Sequence, residues 1–421
     1  MGRPDFSAAH AVLLRHHREH RLSGVSTLIF QGADVVDAFC IGEADIEQGQ
    51  PLRPNCIHRA HSNTKLITAV MTLMLVDEGR ITLDDPIKQW IPGFGATRVL
   101  RPGATSLDHT EALARDITVR HLLTHTAGLS HGLLDPGTMI YEAYAASGLR
   151  RQDCSTTMIA ERLPLLPLLF QPGEGWEYSM APDVLARLVE IITGQRYIEA
   201  LQQRLFGPLG MVDTGYVLRP EQVPRLAALY GGNLADPNEP GLKRLDELPW
   251  PGAFLTPVPR EAGASGLFTT QADMLALLSH LFPGRSGPLA DATLAEMFRD
   301  QLPAQLCVQF LQSGPIPAFG FCLAGAVTRR ASQMQPNTPV GELQWGGVAG
   351  THWAISSATG EALVLMTQRH MGFWNPFWFE WKAAAYAALN SARKTDKSSA
   401  IAVEPSPTSD DGVHRPQPTV G

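Results

Sequence analysis

A chain of 421 residues, 44% of them hydrophobic and 18% charged, is long enough to bury a large core as one big domain or as two to three ordinary ones. Its 34 basic and 41 acidic residues leave a formal charge of −7, mixed along the chain without a basic stripe, which excludes a nucleic-acid binder because phosphate neutralisation supplies most of that affinity. Five scattered cysteines without a C-x-x-C, and no apolar run of the roughly 18 residues that a bilayer span needs, exclude a disulfide framework, a zinc ribbon and a membrane span.

The N-terminal stretch MGRPDFSAAHAVLLRHHREHRLSG has only a short apolar segment before a basic, His-rich run. It does not have the pattern of a signal peptide, and a reduced, cytoplasmic protein is expected. GVSTLIF and DVVDAFCIG, from Gly24 onward, read as two strands rich in β-branched and apolar residues. From Ser62 to Glu78 the pattern is helical: Leu66, Val70, Leu73 and Asp77 fall on one line, and Gly79 breaks it. LDDPIKQWIPGFG is a loop with a short helical turn. ITVRHLLTHTAGL predicts a helix running to Gly128. Pro182 to Thr193 predicts a helix with Val184, Leu188, Ile191 and Ile192 on one face, ended by Gly194. TTQADMLALLSHLF is a further amphipathic helix, with Thr269 or Thr270 as N-cap.

After about Phe319 strands return as FGFCLAGAV, ELQWGG, THWAISSA and EALVLMTQ, and a last helix is expected around Glu380–Leu389. Strands at both ends with helices between do not fit regular βαβ alternation. They predict an α/β protein of the α+β type: an antiparallel sheet flanked by helices, with an inserted, mainly helical domain. The boundaries follow as an α/β domain from residues 1–90 and 300–390, a helical domain from 91–299, and a disordered tail from 391–421, whose Ser, Pro, Thr and Asp cannot bury enough apolar surface.

The chemistry concentrates at Ser62-Asn63-Thr64-Lys65, directly before the first apolar helix. Residues i and i+3 share a helix face, so the Lys65 amine can reach the Ser62 hydroxyl. The free N–H groups of a helix start also favour negative charge developing beside that serine. A lysine amine is protonated in water at neutral pH, so the role of base demands desolvation and neighbouring positive potential. Alone the motif is weak: a serine cap beside a solvated lysine gives the same letters. A second S-x-x-K, Ser391 to Lys394, lies where the tail begins. Two further stretches stand out. Tyr178 follows the loop QPGEGW just before a helix, and Trp345-Gly346-Gly347-Val348 places two glycines in a strand. Glycines there weaken pairing unless something, such as a ligand, needs close backbone approach; a plain bulge is the alternative.

Taken in order, Ser62-Asn-Thr-Lys65, Tyr178-Ser179 and Trp345-Gly346-Gly347 resemble the class C β-lactamase-like serine hydrolases, and within them the family VIII carboxylesterases and the lovastatin-type acyltransferases. HLLTHTAGLSHG, LFGPLGMVDTGY and ASGLFTTQADMLALL support the likeness, which spans about residues 20–390. The resemblance implies a β-lactamase/transpeptidase-like fold, no cofactor, and acyl transfer through a Ser62 ester. It further implies that Lys65 and Tyr178 move the proton, that the backbone N–H groups of Ser62 and Val348 form the oxyanion hole, and that Trp345, Gly346 and Gly347 contact substrate. Trp345 stands where lactamases carry a lysine, and Met180 where an Asn would contact a substrate amide. Both departures favour small or hydrophobic carboxylic esters over β-lactams. Acyl transfer to a dedicated acceptor, weak β-lactam or D-amino-acid peptide hydrolysis, and a covalent sensor that does not turn over are the other readings. The partner implied is a small-molecule ester, with a homo-oligomer left open.

His121 and His125 stand at the i, i+4 spacing of zinc ligands but lack the H-E-x-x-H glutamate and a third ligand, which favours a structural role. No G-x-S-x-G elbow is present. The aromatic run MGFWNPFWFEW (371–381) predicts core packing, with a pocket wall or a dimer contact as the sharper reading.

Overall fold

The two β-branched runs near the N-terminus form the antiparallel strands β1 (Gly24–Gln31) and β2 (Asp34–Asp45), with Val25 opposite Ile41 and Leu28 opposite Ala38. The computed structural model describes residues 4–401, apart from residues 33, 133, 152, 234–235, 237–238, 247–251 and 311–312. β3 (Gln50–Pro51) extends the N-terminal edge, and the returning strands are β4 (Phe319–Phe321), β5 (Ala326–Thr328), β6 (Leu343–Gly346), β7 (His352–Ser356) and β8 (Glu361–Thr367). They make one eight-stranded antiparallel sheet in the order β4-β5-β6-β7-β8-β1-β2-β3. The join between the chain ends is β1 on β8, with Leu28 opposite Val364. Every residue of β8 is buried, because helices cover both faces of the sheet there. A near-continuous apolar run such as EALVLMT is what that environment selects.

On one face lie α1 (Ser7–Arg18) and the final helix, which pack together over Val25, Ile29, Leu363 and Leu365. The final helix runs Pro376–Ile401, so residues 391–401 of the expected disordered tail are helical. Arg393 in this stretch pairs with the buried Glu361 of β8, an anchor a composition argument does not register. Residues 402–421 of the expected tail lie outside the described residues.

On the other face sit α2 (Thr64–Asp77), α3 (Val119–Leu123), α4 (Ala181–Thr193) and α5 (Gln271–Ser279). Thr270 caps α5, its side chain accepting from the Asp273 amide at 3.2 Å. α3 is shorter than its sequence predicts: it stops at Leu123, and His125 takes a left-handed φ of 58°, which ends the helical run three residues before Gly128. On α4 the buried side is Ala181, Val184, Leu185, Leu188 and Val189, whereas Ile191, expected on that face, is exposed. α2 packs on α4, and α5, from the middle of the chain, packs on β1 and β8. One apolar core therefore runs from the sheet through the helices of the middle segment.

Candidate active site

Ser62 lies in a single 3₁₀ turn, His61–Asn63, that leads directly into α2. His61 before it holds φ at 45°, a conformation rare for a residue with a side chain and concentrated at functional turns. Lys65, one turn on, is buried at 7% exposure and its Nζ stands 3.3 Å from Ser62 Oγ. The same amine donates to the Ala264 carbonyl at 2.8 Å and lies 4.5 Å from the Tyr178 ring centroid. Tyr178, also 7% exposed, donates its phenol to Ser62 Oγ at 2.8 Å. The structure thus brings Ser62, Lys65 and Tyr178 together around one oxygen. The second S-x-x-K is remote in character, with Ser391 and Lys394 both exposed on the final helix.

Trp345, at the end of β6, closes the group: its indole N–H points to the Tyr178 oxygen at 3.4 Å, and its rings pack against Tyr178, Phe310, Phe321 and Phe373. A pocket of about 70 Å³ is lined by Ser62, Tyr178, Trp345, Gly346, Val348, Phe310 and Phe373, with Leu134. Gly346 and Gly347 are required by close packing against the protein itself. A Cβ on Gly346 would fall 2.3 Å from His352 Nδ1, and one on Gly347 would fall 2.5 Å from both the Ala60 carbonyl and Thr351 Oγ1. The close backbone approach that paired glycines in a strand call for is met here by the seating of the β6 end against the turn that carries Ser62. Of the aromatic run after Met371, Phe377, Trp378 and Trp381 pack into the core, whereas Phe373 lines this pocket.

Several further residues shape the site; His121 and His125, which the sequence marks only by their spacing and as structural, are among them. His125 Nδ1 accepts from the Ser179 amide at 3.1 Å and meets Ser179 Oγ at 2.8 Å, fixing the backbone next to Tyr178. Burial, reinforced by the charge on Lys65, pushes its imidazole well below the usual histidine range, which keeps Nδ1 free to accept. His131 stacks on the Tyr178 ring with centroids 5.4 Å apart and 7° between planes; burial and then Lys65 lower it to about 3. His121 caps α3, its Nδ1 accepting from the Thr118 amide at 3.2 Å. Asp183, fully buried on α4, accepts from the Ala264 amide at 3.1 Å and from Arg260 at 3.0 Å. It thereby sets the peptide segment whose carbonyl receives Lys65. Among the described residues no group of three His, Cys, Asp or Glu side chains is arranged to hold a metal ion.

The arrangement holds a hydroxyl between an amine and a phenol in a small, aromatic-walled pocket, which is the equipment for nucleophilic attack on a carbonyl. Comparison with known proteins agrees with this chemistry. Residues 10–374 match the beta-lactamase family model. Esterase EstB of Burkholderia gladioli is 33% identical over 88% of this chain and 92% of its own. Acyltransferase calJ of Penicillium decumbens is 30% identical over 80% of this chain and 84% of its own. Among solved structures, EstCE1, described as a hydrolase with promiscuous acyltransferase activity, superposes with a TM-score of 0.76 at 26% identity, covering 90% of this chain and 97% of its own. The chain belongs to the beta-lactamase family, in the branch that holds esterases and lovastatin-type acyltransferases.

Proposed function

We propose that the protein is a serine carboxylesterase that hydrolyses small or hydrophobic carboxylic esters through an acyl-Ser62 intermediate. The observation that carries this reading is the double engagement of Ser62 Oγ, at 3.3 Å by Lys65 and 2.8 Å by Tyr178. The Lys65 amine takes the Ser62 proton as Oγ bonds to the ester carbonyl carbon, and the carbonyl oxygen becomes an oxyanion. The backbone N–H groups of Ser62 and Val348 receive that oxyanion, and the loss of one such donor costs about 3–4 kcal/mol of transition-state stabilisation. Collapse breaks the bond to the alcohol oxygen, which takes its proton from Tyr178, and the protonated Lys65 returns its proton to the resulting phenolate. Water then repeats the sequence on the acyl ester and frees Ser62.

Trp345 offers an aromatic wall where a β-lactam carboxylate would need a cation, which supports esters as the preferred class. The acyltransferase activities named for calJ and EstCE1 support a second reading, transfer to an alcohol acceptor in place of water. The five cysteines are unpaired, which supports a reduced, cytoplasmic setting. Ser62→Ala is expected to abolish p-nitrophenyl ester hydrolysis, and intact-mass spectrometry after a phosphonate inhibitor should show one adduct, on Ser62. Turnover in the Ser62→Ala protein, or an adduct on Ser391, would overturn the assignment.

A further inference from the structure

A cavity of about 240 Å³ abuts the catalytic group, and no residue lines both it and the pocket of about 70 Å³ at Ser62. It reaches that group through three residues. His61 precedes Ser62, His131 stacks on the Tyr178 ring, and Ala264 supplies the carbonyl that receives Lys65. Its walls are mixed. Leu149, Phe254 and Val258 are apolar, whereas Arg150 and Arg260 bring guanidinium groups.

The charges around this cavity do not balance. Asp183 is the one carboxylate in its lining, and it already accepts from Arg260 at 3.0 Å and from the Ala264 amide at 3.1 Å. Arg151, also in the lining, is taken by the exposed Asp153 at 2.7 Å. Arg150 has only a carbonyl and a ring: it donates to the Tyr141 carbonyl at 2.8 Å and lies 4.0 Å over the Tyr141 ring. Among the described residues no carboxylate pairs with it, and the Nε–H groups of Arg150 and Arg260 have no hydrogen-bond partner. Half-buried donors left in this state are costly, and a bound acceptor relieves them. The excess also registers on His131, whose imidazole is lowered by burial and then by Lys65, Arg260 and Arg150, so that this ring adds no charge of its own. Apolar walls beside an unmatched guanidinium suit a short hydrocarbon chain that ends in an anion. The methylenes gain against Leu149, Phe254 and Val258, and the anion gains a charge-assisted hydrogen bond from Arg150.

We propose that this cavity binds a carboxylate carried by the substrate, with Arg150 as the residue that selects for it. The esters preferred are then small ones with a free acid, either half-esters of short dicarboxylic acids or acyl esters of short hydroxy acids. This rests on the esterase reading and adds to it the charged group that is recognised. Binding energy gained at Arg150, remote from the reacting carbonyl, serves to hold the ester in place for attack.

The test uses two matched pairs of esters at neutral pH. Monoethyl glutarate against the ethyl ester of glutaramic acid places the anion on the acid side. The acetate ester of γ-hydroxybutyrate against that of γ-hydroxybutyramide places it on the alcohol side. In each pair the amide copies the shape of the carboxylate without its charge, and the readout is the ratio of the two kcat/KM values, from which any general loss of activity cancels. The unmodified protein is expected to favour the carboxylate about tenfold or more in at least one pair, and that pair tells which part of the ester carries the anion. Arg150→Met should bring the ratio down to within about threefold of unity, and Arg150→Lys should restore part of it. Thr256→Glu, at an exposed position of the lining, sets a like charge in the cavity and should depress the same ratio. No preference for the carboxylate in either pair overturns the proposal, as does a ratio that Arg150→Met and Thr256→Glu both leave unchanged. Absent turnover of every ester would sink the esterase reading, and the cavity is then read separately by calorimetric titration with glutarate. Glutarate binding that is lost in Arg150→Met supports the anion site; no binding, or binding unchanged in that variant, overturns it.

Discussion

Lys65 is held by three partners at once: Ser62 Oγ at 3.3 Å, the Ala264 carbonyl at 2.8 Å and the face of the Tyr178 ring at 4.5 Å. A lysine so enclosed can act in two ways, as a neutral base or as a fixed positive field, and one substitution separates them. Lys65→Arg keeps charge and similar length, but a guanidinium does not release its proton in the working pH range. If Lys65 is the base, kcat should fall by about three orders of magnitude or more, with circular dichroism unchanged. Single-turnover acylation should then no longer rise with pH through neutrality. A Lys65→Arg enzyme that keeps much of its rate would leave only the field. The i, i+3 pairing of Ser62 with Lys65 was legible in the sequence because it is local to one helix turn. The Ala264 partner was not, since it comes from a loop 199 residues further on.

In the proposed mechanism two elements must meet for that serine to face an oxyanion donor. The end of β6 presses against the Ser62 turn through Gly347, and the Thr351 hydroxyl donates to the same Ala60 carbonyl at 3.2 Å. β6 is in turn tied from behind. Lys382 of the final helix, fully buried, bonds Glu342 and reaches Gln344 at 2.9 Å, while Tyr386 donates to Glu342. Such a buried pair gives little net stability but fixes one register of helix on strand. Gly347→Ala should therefore push the strand end away from the Ser62 turn. We expect kcat to drop about 100-fold, the scale of one misdirected oxyanion donor, with KM changed little and the melting temperature lowered by a few degrees. A variant with unchanged kcat would show that the distance between β6 and the turn does not govern the chemistry. The paired glycines were visible in the sequence as a place of close approach. What approaches Gly347, the Ala60 carbonyl, depends on a strand end and a turn nearly 300 residues apart.

At the scale of the whole molecule, burial of histidines controls the response to acid. Burial lowers His58 to about 4 and His352 to about 3, and both are sealed in the fold. An unfolded chain protonates these rings near 6.5, so between pH 6.5 and about 4 the unfolded state binds more protons and stability falls as pH falls. Glu177, raised to about 7 by burial and then by Asp135, acts oppositely between its ordinary 4.5 and 7, because there the folded state holds the extra proton. With His61, His125 and His131 lowered by burial as well, these histidines outnumber the one carboxyl and leave a net loss on acidification, about 1.4 kcal/mol per pH unit for each proton of imbalance. Thermal unfolding followed from pH 7 to 4 should show a continuous decline in melting temperature, and His352→Phe, which removes one titrating ring and keeps its stacking, should flatten it. A flat profile in the unmodified protein would show that these rings are already protonated in the fold.

The sequence by itself determined what neighbouring residues decide: strand pairs with β-branched faces, a helix opened by the Ser62 turn, its Lys65 one turn on, and the helix stop at Gly194. It also carried the likeness that ties Ser62, Lys65, Tyr178 and Trp345 to one chemistry. Tertiary structure alone decided which groups meet. Tyr178 reaches Ser62 across 116 residues of chain, and His125, His131 and Asp183 enter the site through rings and carboxylates that composition and periodicity read as ordinary core. α3 stops early because His125 turns to meet Ser179, and the final helix runs on past Leu389 as Arg393 finds Glu361. Local propensity acts over a few residues, whereas long-range contacts carry no periodic mark in the chain and are fixed only when the packed core brings their elements together.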